Sequence, residues 1–447
     1  MMSTNMEEIN LYCKKIIEDN WEENKEKAKD YLTYMHQSTA KYHGETIYSL
    51  YMPKMFPVET ADYIKNIAET MYGILKKVIK EYLEQEDYRR LFAFSPKLEK
   101  MICNIPHYDN LLPITRIDIF LNEKDLSFKF CEFNADGCSS MNEDRELNNA
   151  FTKTALYQEL SKEYKMTPFE LFDSWAREFK NIYDTYEYKV EKPHVAIVDF
   201  LELGCSMYEF EEFRKAFERI GFTAEVCEIR DLTYDGERLC SKSGKVVDAI
   251  YRRAVTSDIL EHEEEVKDFL QAVMEHKVCL IGSFCTQIIH DKILFYILHL
   301  ERTHSFLTKE EVTFIKEHIP YTVSLCDEEI KKYDLLTNKN GWIIKPKDSY
   351  GARGVFAGVN FSQEKWEEIV SDNKNGVYIM QEFVMPDQSF NIDYHKEEPS
   401  FRRYSNLTGL YVYNGKFVGV YSRQADHEII SSSYDENDIA TLVIEKK

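Results

Sequence analysis

Two alternating runs lie back to back in the first third of the chain: Pro113-Ile-Thr-Arg116-Ile-Asp118-Ile-Phe-Leu121 and Leu126-Ser-Phe-Lys-Phe-Cys-Glu132-Phe-Asn134. Alternation of polar residues with β-branched and aromatic ones is the pattern of a strand with one face on a core. Asn122–Asp125 is polar and short, so the runs predict an antiparallel hairpin. Successive side chains of a strand point to opposite faces. Glu132 and Asn134 therefore share a face while Phe133 turns to the core, and Arg116 and Asp118 share a face of the partner strand. Register can bring Asp118 to the same side as Glu132 and Asn134.

Helical patterning lies on both sides of this hairpin. Glu7–Met35 is Glu/Lys-rich at helical spacing. Thr60–Glu86 places Ile64, Ile67, Met71, Ile74 and Val78 on one stripe. Pro53 and Pro57 read as a loop between the two. Residues 145–187 again read as helical. An α/β unit follows: strands at His194–Phe200, Thr223–Ile229, Val246–Arg253 and Lys277–Gly282, with helices at Tyr208–Ile220 (closed by Gly221) and Asp258–His276. That alternation predicts a small, largely parallel open sheet. The lone Gly204 after its first strand is no dinucleotide fingerprint. From about 290 to His318 the pattern is helical. Then come β segments at Gly341–Lys345, Val355–Val359 and Val377–Val384, and a hairpin, Leu410–Tyr421, turning at Asn414-Gly415. No internal repeat or low-complexity segment is visible. The class is α/β (α+β), divided as a helical N-terminal region (1–105), a part carrying the acidic hairpin (106–190), a small α/β lobe (191–288) and a final part (289–447).

Composition removes several function classes. The formal net charge of −22 opposes a nucleic-acid partner, since phosphate binding needs a basic footprint, and disfavours anionic membranes. No apolar run approaches the ~18 residues of a membrane span, and the polar N-terminus lacks a signal-peptide core. Ten cysteines are scattered without a CxxC pair, which reads as reduced thiols in a cytoplasmic protein and argues against zinc or iron–sulfur.

Two clusters carry chemistry. Mg²⁺ takes hard oxygen ligands, usually one or two carboxylates with phosphate and water. Asp118, Glu132 and Asn134 are such a set, and Arg116 beside them suits a phosphate or developing oxyanion. The same residues also fit a plain polar strand face. The second cluster is Lys345-Pro-Lys-Asp-Ser-Tyr-Gly351-Ala-Arg353-Gly354. Gly351 and Gly354 let backbone N–H groups turn toward an anion, with Lys345 as point charge and Arg353 as clamp. It lacks the Walker pattern, and taken alone it reads better as an ordinary glycine-containing hairpin loop with surface charges. Gln381, Glu382 and Val384 end a strand that could offer an adenine edge backbone groups and a carboxylate. Lys292 stands at a helix start, where by itself it reads as a solvated surface lysine. Arg423 is a candidate carboxylate or phosphate contact, with Ser431–Asn437 a covering loop or a linker. No Cys/His or Ser/His nucleophile constellation stands out.

Together, these pieces resemble the circularly permuted ATP-grasp proteins, in particular glutathionylspermidine synthetase-like carboxylate–amine ligases. The resemblance runs from about residue 45. It rests on Arg116-Ile-Asp118, Glu132-Phe-Asn134-Ala-Asp136, Asp248-Ala-Ile-Tyr-Arg-Arg253, Asp291-Lys292, the Lys345 loop and Gln381-Glu-Phe-Val384. Their order, metal signature before phosphate loop, is that of the permuted group. The resemblance implies an ATP-grasp fold with a pre-ATP-grasp-like lobe. It implies two Mg²⁺ ions on Asp118, Glu132 and Asn134, ATP phosphates on Lys292 and Lys345, and adenine on Gln381–Val384. Arg116 and Arg353 would sit at the transferred group or substrate carboxylate. The implied reaction is amide formation between a small-molecule carboxylate and an amine, such as a peptide and a polyamine, through an acyl phosphate. The loop departs from the family's Arg-Glu-Gly. Gly-Cys-Ser-Ser follows Asn-Ala-Asp where Thr-Pro or Ser-Pro is usual, and there is no fused amidase domain. An inactive nucleotide-binding partner protein and a phosphotransferase stopping at a phosphorylated product are the alternatives. Substrate identity and oligomeric state stay open.

Overall fold

The computed structural model describes residues 5–203, 206–349, 351, 353–430 and 436–447. The hairpin forms as Ile114–Leu121 and Phe128–Asn134, antiparallel. On its other side Ile114–Leu121 pairs with Phe401–Tyr413, which pairs in turn with Lys416–Ala425, and that strand with Asn437–Ile439. Gln388–Ile392 also runs along Phe401–Tyr413, completing a six-stranded sheet. The turn at Asn414-Gly415 has φ of 49° and 87°, the two positive values a tight hairpin needs. The early hairpin and the C-terminal strands, far apart in sequence, thus share one sheet.

One face of that sheet packs on the helix Val58–Glu84, whose predicted stripe Ile64, Ile67, Met71, Ile74 and Val78 is fully buried with Ile117, Ile119 and Phe133. Complete burial of such a side chain is worth about 1.5–3 kcal/mol before the entropy of ordering is subtracted. Pro57 corrects the loop expected around it. It closes a buried strand, Lys54–Pro57, which pairs parallel with Thr441–Lys446. Proline is tolerated because this is an edge strand. Tyr164–Pro168 forms the opposite edge of the same three-stranded sheet, inside a stretch expected to be helical. Neither strand could be recognised from local pattern, because both exist only by pairing with the C-terminal segment.

The predicted α/β unit forms a four-stranded parallel sheet, ordered Cys279–Ile281, Ala249–Arg252, His194–Asp199, Thr223–Glu228. Its inner strands are buried except at Asp199, which ends its strand at the cavity, as parallel sheets covered on both faces require. The single helix expected at Asp258–His276 is two, Thr256–Glu261 and Lys267–Met274. The acidic run Glu263–Glu265 between them offers no apolar side chain to bury, and the core is rejoined only at Val266. The helical stretch from 290 is likewise broken into Ile293–Ile297, Glu301–His304 and Lys309–His318.

A last antiparallel sheet is ordered Thr322–Ser324, Tyr378–Glu382, Trp342–Pro346, Phe356–Ala357. The helix Gln363–Asn373 covers it, burying Trp366, Ile369 and Val370 against Val323, Ile344 and Met380. No helix among the described residues is long and apolar enough to cross a membrane.

Candidate active site

Three of these sheets meet around one cavity of about 840 Å³. The six-stranded sheet contributes Arg116, Glu132, Asn134, Tyr421 and Arg423. The four-stranded antiparallel sheet contributes Ile343, Lys345 and Gln381. The C-terminal ends of the parallel strands contribute Asp199 and Arg253. Ligands of open parallel sheets commonly bind at those strand ends.

In the hairpin, Asp118 stands opposite Glu132 and Arg116 opposite Asn134. The register then slips: Ile119 faces Phe130, leaving Cys131 as the extra residue of a β-bulge. Its carbonyl accepts a hydrogen bond from Lys345 Nζ at 3.3 Å. Phe133 points away and stacks on Phe295 at 4.9 Å between centroids.

Asp118 lies just beneath the cavity wall and is not part of its lining. Both of its oxygens are engaged. Arg116 donates from Nε to Oδ1 at 2.8 Å and from Nη2 to Oδ2 at 3.2 Å. Arg423 Nη2 reaches Oδ2 at 2.6 Å and Asn134 Nδ2 reaches it at 3.1 Å. Asn134 thus has its amide oxygen on the far side from Asp118. The cluster has room because residue 409 on the neighbouring strand is glycine. A Cβ there would sit 2.8 Å from both Arg116 Cδ and Asp118 Oδ1.

Glu132 lines the cavity and pairs with Lys292 Nζ at 2.7 Å. Burial pushes its carboxyl up, but Lys292, Lys345 and His290 overcome that and hold it at about 2. Lys292, read from sequence as a solvated lysine unless other features backed it, is buried and also donates to the Ser349 carbonyl at 2.7 Å. Its backbone N–H bonds the Lys347 carbonyl at 2.8 Å, so the short helix pair around 287–297 is tied to the glycine loop. Lys345 is buried beside Gln381, donating to Oε1 at 2.9 Å, and Gln381 Nε2 donates to Thr322 Oγ1 at 2.9 Å. The Gln381 side chain thus positions Lys345. The N–H groups of Glu382 and Phe383 bond the Tyr321 and Gly341 carbonyls. Gly351, Arg353, Glu382 and Val384 line the cavity, whereas Gly354 (φ 73°) forms the turn behind it, next to Tyr378 and Pro346. Tyr350 and Ala352 lie outside the described residues, as do Gly204 and residues 431–435 of the predicted covering loop. The loop's last two residues, Glu436 and Asn437, line the cavity.

Asp136 forms a buried ion pair with Arg252 Nη2 at 2.5 Å and accepts from the Thr256 N–H at 2.6 Å. This ties the loop after the hairpin to the parallel sheet. Gly137 permits the contact, since a Cβ would meet the Arg253 carbonyl at 2.8 Å. Arg253 pairs with Glu209 at 3.1 Å. Sequence reasoning missed Tyr421, Glu143 and Asp438 as cavity residues. The signal of the two acids is burial of charge, which no one-dimensional pattern carries.

Among the described residues, no group of three His, Cys, Asp or Glu side chains is spaced to hold a metal. The hairpin donor set is two carboxylates and an amide, so it falls outside that pattern. Its chemistry, hard oxygens with Glu132 ionised, nonetheless suits Mg²⁺.

The arrangement of elements over the whole chain is shared with a solved structure. The glutathione synthetase like-effector from Globodera pallida, in apo form, matches with a TM-score of 0.63 at 11% identity, over 93% of this chain and 96% of that one. Two others match too loosely to carry an argument. A protein described as a gamma-glutamylcysteine synthetase from Methylobacillus flagellatus KT has a TM-score of 0.44 at 10% identity, over 88% of this chain and 90% of that one. The D-cycloserine synthetase DcsG has a TM-score of 0.33 at 14% identity, over 57% and 74%. No protein-family model matches the sequence, and no curated protein is similar to it. The class established is therefore a fold, a mixed α/β chain of several sheets like that of the glutathione synthetase-like effector.

Proposed function

We propose that this chain is an ATP- and Mg²⁺-dependent ligase that joins a carboxylate to an amine on a circularly permuted ATP-grasp fold. One observation carries the reading. Glu132 and Asn134 from one sheet, Lys345 from a second and Lys292 from the turn between two short helices converge on a single cavity that also holds Arg116, Arg353 and Arg423. Carboxylates with amide oxygen, paired lysines and several arginines are what phosphoryl transfer to an oxyanion requires. On this reading the division at 105, 190 and 288 separates the parts that bring these groups together. The likeness to a glutathione synthetase-like effector is in keeping with it.

Glu132 and Asn134 would hold Mg²⁺ directly, with Asp118 behind them. The metal, bound with ATP, supplies charge neutralisation of the phosphates. Lys292 and Lys345 turn from their present partners to phosphate oxygens. Arg116, held by Asp118, and Arg423 or Arg353 orient the substrate carboxylate. That carboxylate takes the γ-phosphoryl group, ADP leaves, and the amine nitrogen then displaces phosphate from the acyl carbon.

The test is ADP release over pooled carboxylates, amino acids, peptides and amines. A ligase releases ADP only when a carboxylate and an amine are both present. Release with a carboxylate alone, undiminished by omitting amines, identifies the phosphotransferase. Tight ATP binding with no release identifies the inactive nucleotide binder.

A further inference from the structure

Away from the lysines, the same cavity ends in a group of carboxylates that the scheme above does not use: Glu143 on the helix Met141–Phe151, and Glu436 and Asp438 at the last strand of the six-stranded sheet. Glu143 and Asp438 are each only 5% exposed. Glu143 Oε2 has no hydrogen-bond partner among the described residues. Burial and the neighbouring Glu209 push the Glu143 carboxyl well above its ordinary value. It is therefore a buried acid that an arriving cation would ionise, and a buried polar oxygen is normally paired or hydrogen-bonded. Among the described residues no cation is ion-paired with Glu143, and Lys396, which lines the same cavity, is paired with Asp393 at 3.6 Å. Arg253, whose charge reaches Glu143, is engaged by Glu209, and Arg423 is shared between Asp118 at 2.6 Å and Glu436 at 3.4 Å. Asp438 receives the Tyr421 hydroxyl. The group is not spaced as a metal cluster.

We propose that the Glu143–Glu436–Asp438 end of the cavity is the seat of the attacking amine, binding its ammonium form, and that Asp438 accepts the proton that must leave before attack. This rests on the ligase reading for the identity of the reaction, but not for the cation site itself. In the step, an N–H proton moves to the Asp438 carboxylate. The freed lone pair forms the C–N bond as the C–O bond to phosphate breaks, and the departing phosphate takes the second N–H proton. Burial and Glu436 push the Asp438 carboxyl up to about 8, which suits a proton acceptor working near neutrality. The groups facing it are Glu436, Tyr421, Arg423 and Arg116 from its own sheet, and Glu143, Asp144 and Tyr31 from the helices packed on it. An amine carrying its own adjacent carboxylate would meet repulsion here, so the site selects an ammonium without one.

Calorimetric titration with n-butylammonium, and with glycine as the carboxylate-bearing comparison, tests the site. Butylammonium is expected to bind at least tenfold tighter than glycine, and Glu143→Gln and Asp438→Asn to weaken it at least tenfold. Glu436→Gln, at a less buried position, is expected to weaken it several-fold and serves if the buried variants do not fold. Equal binding of glycine, unchanged affinity in the variants, or binding of Mn²⁺ in place of the amine overturns the proposal. In turnover, Asp438→Asn should shift the pH profile and lower kcat, while Glu143→Gln should raise KM for the amine. Amine-dependent ADP release with these parameters unmoved removes the subsite but keeps the ligase. Variant-sensitive butylammonium binding without any ADP release removes the ligase but keeps the subsite.

Discussion

Glu132 is where charge, burial and chemistry meet at the scale of one residue. Its carboxyl sits at about 2 when folded, below the ordinary value near ~4.3. The folded state therefore binds the proton more weakly than the unfolded one. Its contribution to stability is whole above ~4.3 and is lost as pH falls toward 2. Acid unfolding of Glu132→Gln should lack that part of the wild-type curve, and identical acid limbs would contradict the Lys292 pairing. The same variant keeps the side chain's shape but loses the charge, so ADP release should fall at least ~100-fold with the fold retained. Much at this scale was legible in the sequence. Glu132 and Asn134 share a strand face with Phe133 on the other, because strand periodicity alone dictates it. That Asp118 lies beneath the wall, clasped by Arg116 and Arg423, was not legible, since it depends on a strand 305 residues further along the chain.

At the scale of elements, contacts between strands decide the site. Gly409 gives the Arg116–Asp118 pair its space, so Gly409→Ala should cost about 1–3 kcal/mol and weaken substrate binding, read by denaturant unfolding and KM. Asp136–Arg252 joins the hairpin's exit loop to the parallel sheet. Asp136→Ala leaves a buried guanidinium uncompensated and should destabilise by about 3–5 kcal/mol in the same measurement. The hairpins and the parallel sheet could be read from sequence, because alternation, apolar runs and Asn-Gly are local signals. Lys54–Pro57 and Tyr164–Pro168 could not, because their pairing partner is the C-terminal strand Thr441–Lys446. The bulge at Cys131 was invisible for a similar reason: it is a property of register, which neither strand carries by itself.

Across the whole molecule, three sheets close on one cavity, and ligands that bridge them should stabilise all three together. Mg²⁺ with ATP at ~100 times its Kd should add about 2.7 kcal/mol to folding, visible as a rise in melting temperature. Chelating the metal with EDTA should remove most of that gain, and a rise unaffected by EDTA would separate nucleotide binding from the hairpin. The order of the halves along the chain was visible in sequence as motif order. Their meeting in space is held by Lys345 on the Cys131 carbonyl and by Lys292, which links Glu132 to the Ser349 carbonyl. The central claim is that the carboxylate is activated by phosphoryl transfer in this cavity. It is tested most directly by labelling the carboxylate oxygens of a substrate found in the ADP-release screen with ¹⁸O and analysing the phosphate formed with the amide. The account predicts one ¹⁸O in each released phosphate. Phosphate without label, with amide still formed, would contradict it.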